Sequence, residues 1–566
     1  MIASLPPASI LILGALLVPL FRGRWRSCYL LALPLLSFGH LLQLPHTTYW
    51  QIPLFDLDYP LTLARIDSLS FVFGIIFHIA LFLMVVYALH VKDTLQHVAG
   101  LVYAGAAIGA VFAGDLVTLF VYWELTAVSS VFLIWARRTE RSSAAGMRYL
   151  IVQAGSGVLL LAGIVFHVQG GGTTEFGDFH GPGGTGAVLI FLAFGIKCAF
   201  PFLHNWLQDS YPEATVTGTV FLSAFTTKLA VYALARGFPG TEILIWIGAA
   251  MTAFPIFYAV IENDLRRVLA YSLNNQLGFM VVGIGVGTPL ALNGTAAHAF
   301  CHILYKALLF MSMGAVLHRT GSIKGSELGG LYKSMPWTAG FCIVGAASIS
   351  AFPLFSGFVS KSLILTASAN QHHVIVWYIL LFASAGVFHH SGIKIPFFAF
   401  FARDAGIRCR EAPTNMLLAM GGAALLCVGL GVYPQPLYDL LPHSVAYHPY
   451  TSAHVVTTLQ LLLWSALAFT WLKRTGLYPP ETRSVNLDSD WSYRRLFPAL
   501  GRAVARAGGA ARSRVTGGLG TAGGGLLRGV GRHCGAGGVL SRTWPTGGTV
   551  LWVAVALAAY LVLYSL

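Results

Sequence analysis

Charge is scarce in this chain. Asp, Glu, Lys and Arg make up 10% of its 566 residues, against 56% hydrophobic. A soluble domain carries about 25% charged residues, so a water-exposed fold is excluded. With a mean hydropathy of +0.71, the composition is that of a polytopic membrane protein. Cysteine is sparse too: there are seven, none in a C-x-x-C pair, which argues against an iron–sulfur cluster or structural zinc. Most lie in apolar runs, where a thiol behaves as a small hydrophobe. No cleavable leader is expected, because Met1 leads into the apolar run Ile10–Leu20 with no basic start and no small-residue cleavage site. No Walker motif is present. GPGGTG (181–186) and GLGTAG (518–523) fit G-x-G-x-x-G, but neither follows a strand in a βαβ unit, so both are loop composition. The net charge of +14 is accounted for by basic loops on one side of a membrane, and no nucleic-acid partner is expected.

What the chain has in abundance is long apolar runs. They give about sixteen candidate spans, near 2–21, 28–44, 66–90, 97–113, 116–136, 147–168, 187–207, 217–236, 242–261, 268–286, 292–317, 338–367, 373–401, 414–433, 454–472 and 549–566. With the N-terminus outside, the odd-numbered connections should face inward and be basic. They hold Arg22, Arg24 and Arg26; Lys92; Arg137, Arg138 and Arg141; Arg266 and Arg267; Arg319, Lys324 and Lys333; Arg403, Arg408 and Arg410; then Lys473 and Arg474. The seventh is the weak one, with Asp209 and Glu213. Sixteen spans with both termini on the outer side of the cell (inner) membrane are therefore expected. Residues 475–548 form a long inner connector, polar and then rich in Gly and Arg. Two readings stand for it: an amphipathic element on the membrane surface, drawn to anionic lipid, or a flexible basic linker, since each Gly costs a helix about 1 kcal/mol.

Against this apolar background, buried ionisable residues stand out. Such a residue at a helix centre costs roughly 2.5–3.5 kcal/mol on insertion scales and marks function by default. Glu124 sits in VYWELTAVSS, Lys197 in GIKCAFPF, Lys228 in AFTTKLAV and Lys361 in FVSKSLIL. His298, His302 and Lys306 follow an i, i+4, i+8 spacing that stacks them on one helical face. His204, Asp209, His389, His390 and Lys394 are second-rank candidates; Lys394 would also suit a lysine that snorkels to the interface. A lysine titrates near 10.4 in water, and burial brings it towards neutral pH by up to roughly 3–5 units. A nearby carboxylate holds it charged, and neutralising that carboxylate releases the proton. Glu124 is thus read as the control on the charge of a lysine, Lys197 foremost.

Proline interrupts two spans: Pro201 follows Lys197, and Pro353 precedes Lys361. If spans 4–8 (97–240) and 9–13 (241–402) are two five-helix units, the interrupted helix is the fourth in each, and an odd span count makes the second copy inverted. Paired interrupted helices point to an ion path. The remaining segments are then 1–96 (spans 1–3), 403–474 (spans 14–15), the connector 475–548 and the last span 549–566.

The stretches VYWELTAVSS, GIKCAFPFLHNWLQDSYPEATVTG, DLRRVLAYSLNNQLGFM, AAHAFCHILYKALLFMSMGAVLH and FPLFSGFVSKSLIL occur in order over roughly residues 65–400. In them the chain resembles the antiporter-like subunits of respiratory complex I, Mrp-type multisubunit Na+/H+ antiporters and membrane-bound hydrogenases. The resemblance implies an all-α polytopic fold. It also implies roles: Glu124 and Lys197 as the glutamate–lysine pair, Lys228 as the bridging lysine, His298, His302 and Lys306 as the central axis, and Lys361 as the terminal position beside the exit. The 473–566 tail resembles the lateral helix and final span of the longest members. There are departures. Gln208-Asp209-Ser210 follows Trp206-Leu207 where W-L-P-D-A is frequent, Leu222 stands where many members have a histidine, and the segment His389–Lys394 and the Gly-rich tail are atypical. These suggest a divergent Mrp-like branch.

The function expected is an ion-translocating membrane subunit, moving H+ and exchanging Na+ as a further option, among other membrane subunits and without a cofactor or metal of its own. Alternatives are a proton-pumping subunit of a complex I or hydrogenase-type redox complex, the energy-coupling subunit of an inorganic-carbon uptake system, a channel, and a non-conducting membrane scaffold.

Overall fold

A computed structural model describes residues 6–53, 60–482, 486–535, 538 and 545–565. The chain divides into two units, Met1–Asn486 and Leu487–Leu566.

The first unit begins with α1 (Pro7–Leu17), α2 (Gly23–Leu41) and an antiparallel hairpin, β1 (Thr48–Pro53) and β2 (Pro60–Arg65), in the register Thr48↔Arg65 and Gln51↔Thr62. The hairpin corrects the all-α expectation. It alternates polar and apolar residues (Gln51, Ile52; Leu61, Thr62, Leu63), the period of a half-buried strand, and the expectation considered helical runs alone. Then come α3 (Ser68–Ala88), α4 (Thr94–Phe112), α5 (Leu116–Trp135), α6 (Glu140–Gln169), α7 (Thr185–Lys197), α8 (Asn205–Ser210), α9 (Gly218–Ala224) and α10 (Thr226–Gly237). They are followed by α11 (Ile243–Ile261), α12 (Leu265–Val286), α13 (Pro289–Thr320), α14 (Pro336–Ile349), α15 (Ser356–Asn370) and α16 (Val374–Val387), which continues as π-helix over Phe388–Lys394 and Phe397–Phe401. The unit ends with α17 (Thr414–Val432), α18 (Gln435–Tyr438) and α19 (Ser452–Arg474). Among the described residues, 11 helices are long and apolar enough to cross a membrane. The most enclosed are the span Gly218–Gly237 (α9 and α10), whose apolar window is 100% buried, and α13, at 94%; in both, apolar, glycine and titratable residues alike are covered, as in the core of a bundle.

Two parts of this unit are built alike. Asp115 caps α5 by accepting the Val117 and Thr118 amides, and Asp264 caps α12 by accepting those of Arg266 and Arg267. Leu116 N–H then donates to Thr174 O beyond α6, and Leu265 N–H to Ile323 O beyond α13. Phe176 N–H donates back to Gly114 O, as Gly325 N–H does to Asn263 O. The interrupted helices match as well. Ala199-Phe200-Pro201-Phe202 and Ala351-Phe352-Pro353-Leu354 separate α7 from α8 and α14 from α15. Ala199, Phe202, Ala351 and Leu354 all have φ between 59° and 74°. Non-glycine residues rarely adopt that region, and each proline forbids a simple helical continuation.

The second unit contains α20 (Phe497–Cys534) and α21 (Thr546–Ser565). The connector is therefore helical over 38 residues despite its glycines.

Candidate functional site

α5 presents Glu124 beside α6 and α7. Glu124 Oε1 is buried with no protein hydrogen-bond partner, and Gly157 of α6 lies directly against it. Lys197, the last residue of α7, is completely buried. Its Nζ donates to Trp123 O (2.5 Å) and Thr126 Oγ1 (2.9 Å) and lies 4.3 Å from the Trp123 ring centroid. Glu124 and Lys197 do not touch, yet each lies in the field of the other's charge. The lysine is thus held by neutral acceptors on the same turns of α5 that carry the carboxylate.

Lys228, also completely buried, donates to Ser223 O (2.5 Å) across the α9–α10 junction. Its charge reaches Cys198, next to Lys197, on one side and His302 and Lys306 on the other. On α13, His298 Nδ1 lies 3.0 Å from Ser360 Oγ, and its Nε2 is 3.4 Å from the Tyr305 hydroxyl, which donates to Gln276 Oε1 (3.1 Å). The His298 and His302 ring centroids are 6.2 Å apart. Both nitrogens of His302 are buried without a hydrogen-bond partner. Lys361 of α15 donates to Ile349 O (2.8 Å), the last residue of α14, and borders a cavity of about 460 Å³ lined also by Ser362, Thr366, Tyr447, His454 and Thr458.

Lys306 Nζ donates to Ser272 Oγ of α12 (2.9 Å). Ser391 Oγ donates to the same Ser272 oxygen (2.7 Å), and His390 Nδ1 is 2.9 Å from Ser391 Oγ. The central lysine is therefore hydrogen-bonded through two hydroxyls to the π-helical stretch of α16. Lys394, one wide turn further, is fully buried rather than snorkelling: its Nζ donates to Val260 O and Glu262 O (both 2.6 Å) and pairs with Glu481 at 2.9 Å.

The other second-rank candidates have separate surroundings. Asp209 of α8 receives a bidentate pair from Arg148 of α6, at 2.6 and 3.0 Å. His204 is buried with its ring centroid 4.7 Å from that of Phe254. His389 turns away from His390 and stacks on Tyr478 at 5.5 Å.

Sequence reasoning missed Ser272, Tyr305, Ser360 and Ser391, whose hydroxyls join charged residues that are far apart in the chain. It also missed Glu481, which lies outside every span. Burial raises the Glu481 carboxyl above the ordinary range, with the Lys394 charge opposing. The available signal was an acidic residue just after the basic end of α19. At the opposite end of the first helices, Asp67 caps α3 and receives both carboxylate contacts from Arg236 at 2.8 Å. Burial works to raise its carboxyl, but Arg236, the Ser70 amide and Arg65 hold it below the ordinary range.

Residues 113–397 match the family described as NADH:quinone oxidoreductase/Mrp antiporter, TM. One Na(+)/H(+) antiporter subunit of Alkalihalophilus pseudofirmus is 30% identical over 58% of this chain and 71% of its own length. Hydrogenase-4 component B of Escherichia coli is 28% identical over 69% of this chain and 65% of its own, and a probable K(+)/H(+) antiporter subunit of Rhizobium meliloti 30% identical over 59% and 36%. The fold is similar to a chain of the Mrp complex from Dietzia sp. DQ12-45-1b, with TM-score 0.69, 21% identity and coverage of 81% of this chain and 99% of that one.

Proposed function

The chain belongs to the NADH:quinone oxidoreductase/Mrp antiporter family, and on that premise we propose that it is an ion-translocating subunit of a multisubunit membrane complex. It passes protons along Glu124, Lys197, Lys228, His298, His302, Lys306 and Lys361. The observation that carries this reading is the series of buried lysines, each bound only to neutral oxygens, with Lys197 in the field of Glu124, and Lys228 and Lys361 in the field of the histidines and lysine of α13. A scaffold has no use for charges that cost roughly 2.5–3.5 kcal/mol apiece to insert.

Protonation of Glu124 removes the negative charge that favours Lys197 as an ammonium; the proton leaves Lys197, and the altered charge acts in turn on Lys228 and the α13 stripe. Lys361 beside its cavity is the terminal position, opening to the outer side. Residues 97–240 and 241–402 act as two five-span units in inverted orientation within sixteen spans, both termini outside. The matching caps of Asp115 and Asp264 and the matching breaks after Ala199 and Ala351 support that arrangement. The exposed arginines of α20, among them Arg502, Arg506, Arg528 and Arg532, suit anionic lipid headgroups. Na+ exchange against H+ is the Mrp-like version of the same function.

The test is ΔpH-driven exchange in membrane vesicles. Glu124→Gln or Lys228→Ala should slow it by about a hundredfold, the scale of losing one positioned proton-transfer group, with the protein still assembled. Unchanged exchange with normal assembly would mean a scaffold. Repeating the assay with and without Na+ reports the exchanged ion.

A further inference from the structure

We propose that Glu481 and Lys394 form a second proton-handling pair, which serves Lys306 from the basic end of the bundle through His390, Ser391 and Ser272. This deepens the function proposed above and rests on it.

Glu481 reaches this place because α19 ends abruptly. Gly476 adopts φ +75°, and Tyr478 N–H donates back to Leu472 O at 2.9 Å, so the chain folds over the π-helical part of α16. Tyr478 and Phe469 then pack around His389 and Phe398, sealing the segment down. The Glu481 side chain is 6% exposed and that of Lys394 not at all. The groups facing the pair are Lys473 of α19, Glu262 between α11 and α12, and the Tyr478 hydroxyl. Glu262 is itself held by Asn486 (3.1 Å) and Arg267 (3.8 Å). Arg267 beside Glu262 and Lys473 over the Tyr478 ring mark this as a basic end.

The π-helix supplies the continuation. Its wider turn puts His390, Ser391 and Lys394 together on the buried side, and Gly392 lets it approach Ser350, the residue after α14, closely. His390 Nε2 is buried with no hydrogen-bond partner, while Nδ1 meets Ser391. A buried ion pair is weak as a stabilising device, because desolvation offsets most of the attraction. Beside an unpartnered imidazole and a hydroxyl chain leading to a lysine, its placement fits proton delivery. Lys394 Nζ bonds Val260 O, Glu262 O and Glu481 and makes no hydrogen bond to His390, so the first transfer requires Lys394 to leave these acceptors for the unpartnered His390 Nε2. The imidazole then passes a proton from Nδ1 along the Ser391 and Ser272 hydroxyls, and neutral Lys306 accepts it. Glu481 receives a proton from the basic end of the bundle and returns it to neutral Lys394, so nothing is consumed but the transported proton.

The experiment compares Glu481→Gln, Glu481→Asp and the double variant Lys394→Met with Glu481→Met, measuring ΔpH-driven exchange against pH in vesicles holding the assembled complex. The first should slow exchange by at least about tenfold, the aspartate should recover it to within about threefold, and the double variant should stay slow. If Glu481→Gln fails to assemble, the double variant, which leaves no unpaired charge, decides. Normal exchange in an assembled Glu481→Gln protein, or recovery in the double variant, overturns the proposal and leaves the pair as a structural clamp. Glu124→Gln runs alongside. If it silences exchange while the Glu481 variants do not, only this branch falls; if it leaves exchange intact, the transport reading falls as well.

Discussion

Gly157 of α6 occupies the position from which any larger side chain would collide with the Glu124 carboxylate. The two helices meet there with a charge at the contact and no side chain opposite it. The glycine reserves the space that Glu124 needs.

Gly157→Ala should therefore displace the Glu124 carboxylate rather than break the helix. The colliding atoms are the end of a flexible side chain, and Ala is a better helix former than Gly by about 1 kcal/mol. Assembly should be normal and the exchange rate lowered. Gly155→Ala, two residues away with nothing within 4 Å of the added carbon, is the control and should exchange like the unmodified protein. Equal rates in the two variants would remove Glu124's position from the mechanism.

Asp209 and Arg148 should matter for stability more than for rate. Their bidentate contact ties α8 to α6 immediately after the first break, with the carboxylate 6% and the guanidinium 34% exposed. Asp209→Asn should cost about 1–3 kcal/mol, below the range for a fully buried pair because Arg148 is partly solvated. Thermal unfolding in detergent measures this. A variant that melts normally but has lost exchange would assign Asp209 to the proton path instead.

The Asp67–Arg236 pair predicts a pH dependence. A carboxyl held below its unfolded value contributes stability that is fully present above that value and is lost as pH falls through the folded one. The melting difference between the unmodified protein and Asp67→Asn should therefore be constant from about pH 8 to about pH 5 and shrink only below about pH 4. A difference that vanished by about pH 6 would point to a histidine as the partner that matters.

The ionisable residues of the central line were legible because each interrupts an apolar run, and the cost of burying charge makes such interruptions rare. The proline breaks were legible for a similar reason, since proline cannot continue a helix. The hairpin between α2 and α3 was not, because its few alternating residues carry a weaker pattern than a membrane-length run. The stretch from Phe388 to Phe401 reads as ordinary helix, since a π-helical turn has no distinctive composition; what sets it is packing against Ser350 and the folded-back segment after α19.

Sequence alone determined that this chain is a membrane protein with titratable groups sunk in apolar helices, because hydrophobicity and charge are properties of residues and their order. Tertiary structure decided which of those groups act together. Glu124 was found beside Lys197 but held off by neutral oxygens, Lys306 was joined to His390 through two serines more than a hundred residues apart, and Lys394 met a carboxylate from beyond α19. A hydrogen bond forms only within about 3 Å, and that distance is set by how helices pack, which no local pattern encodes.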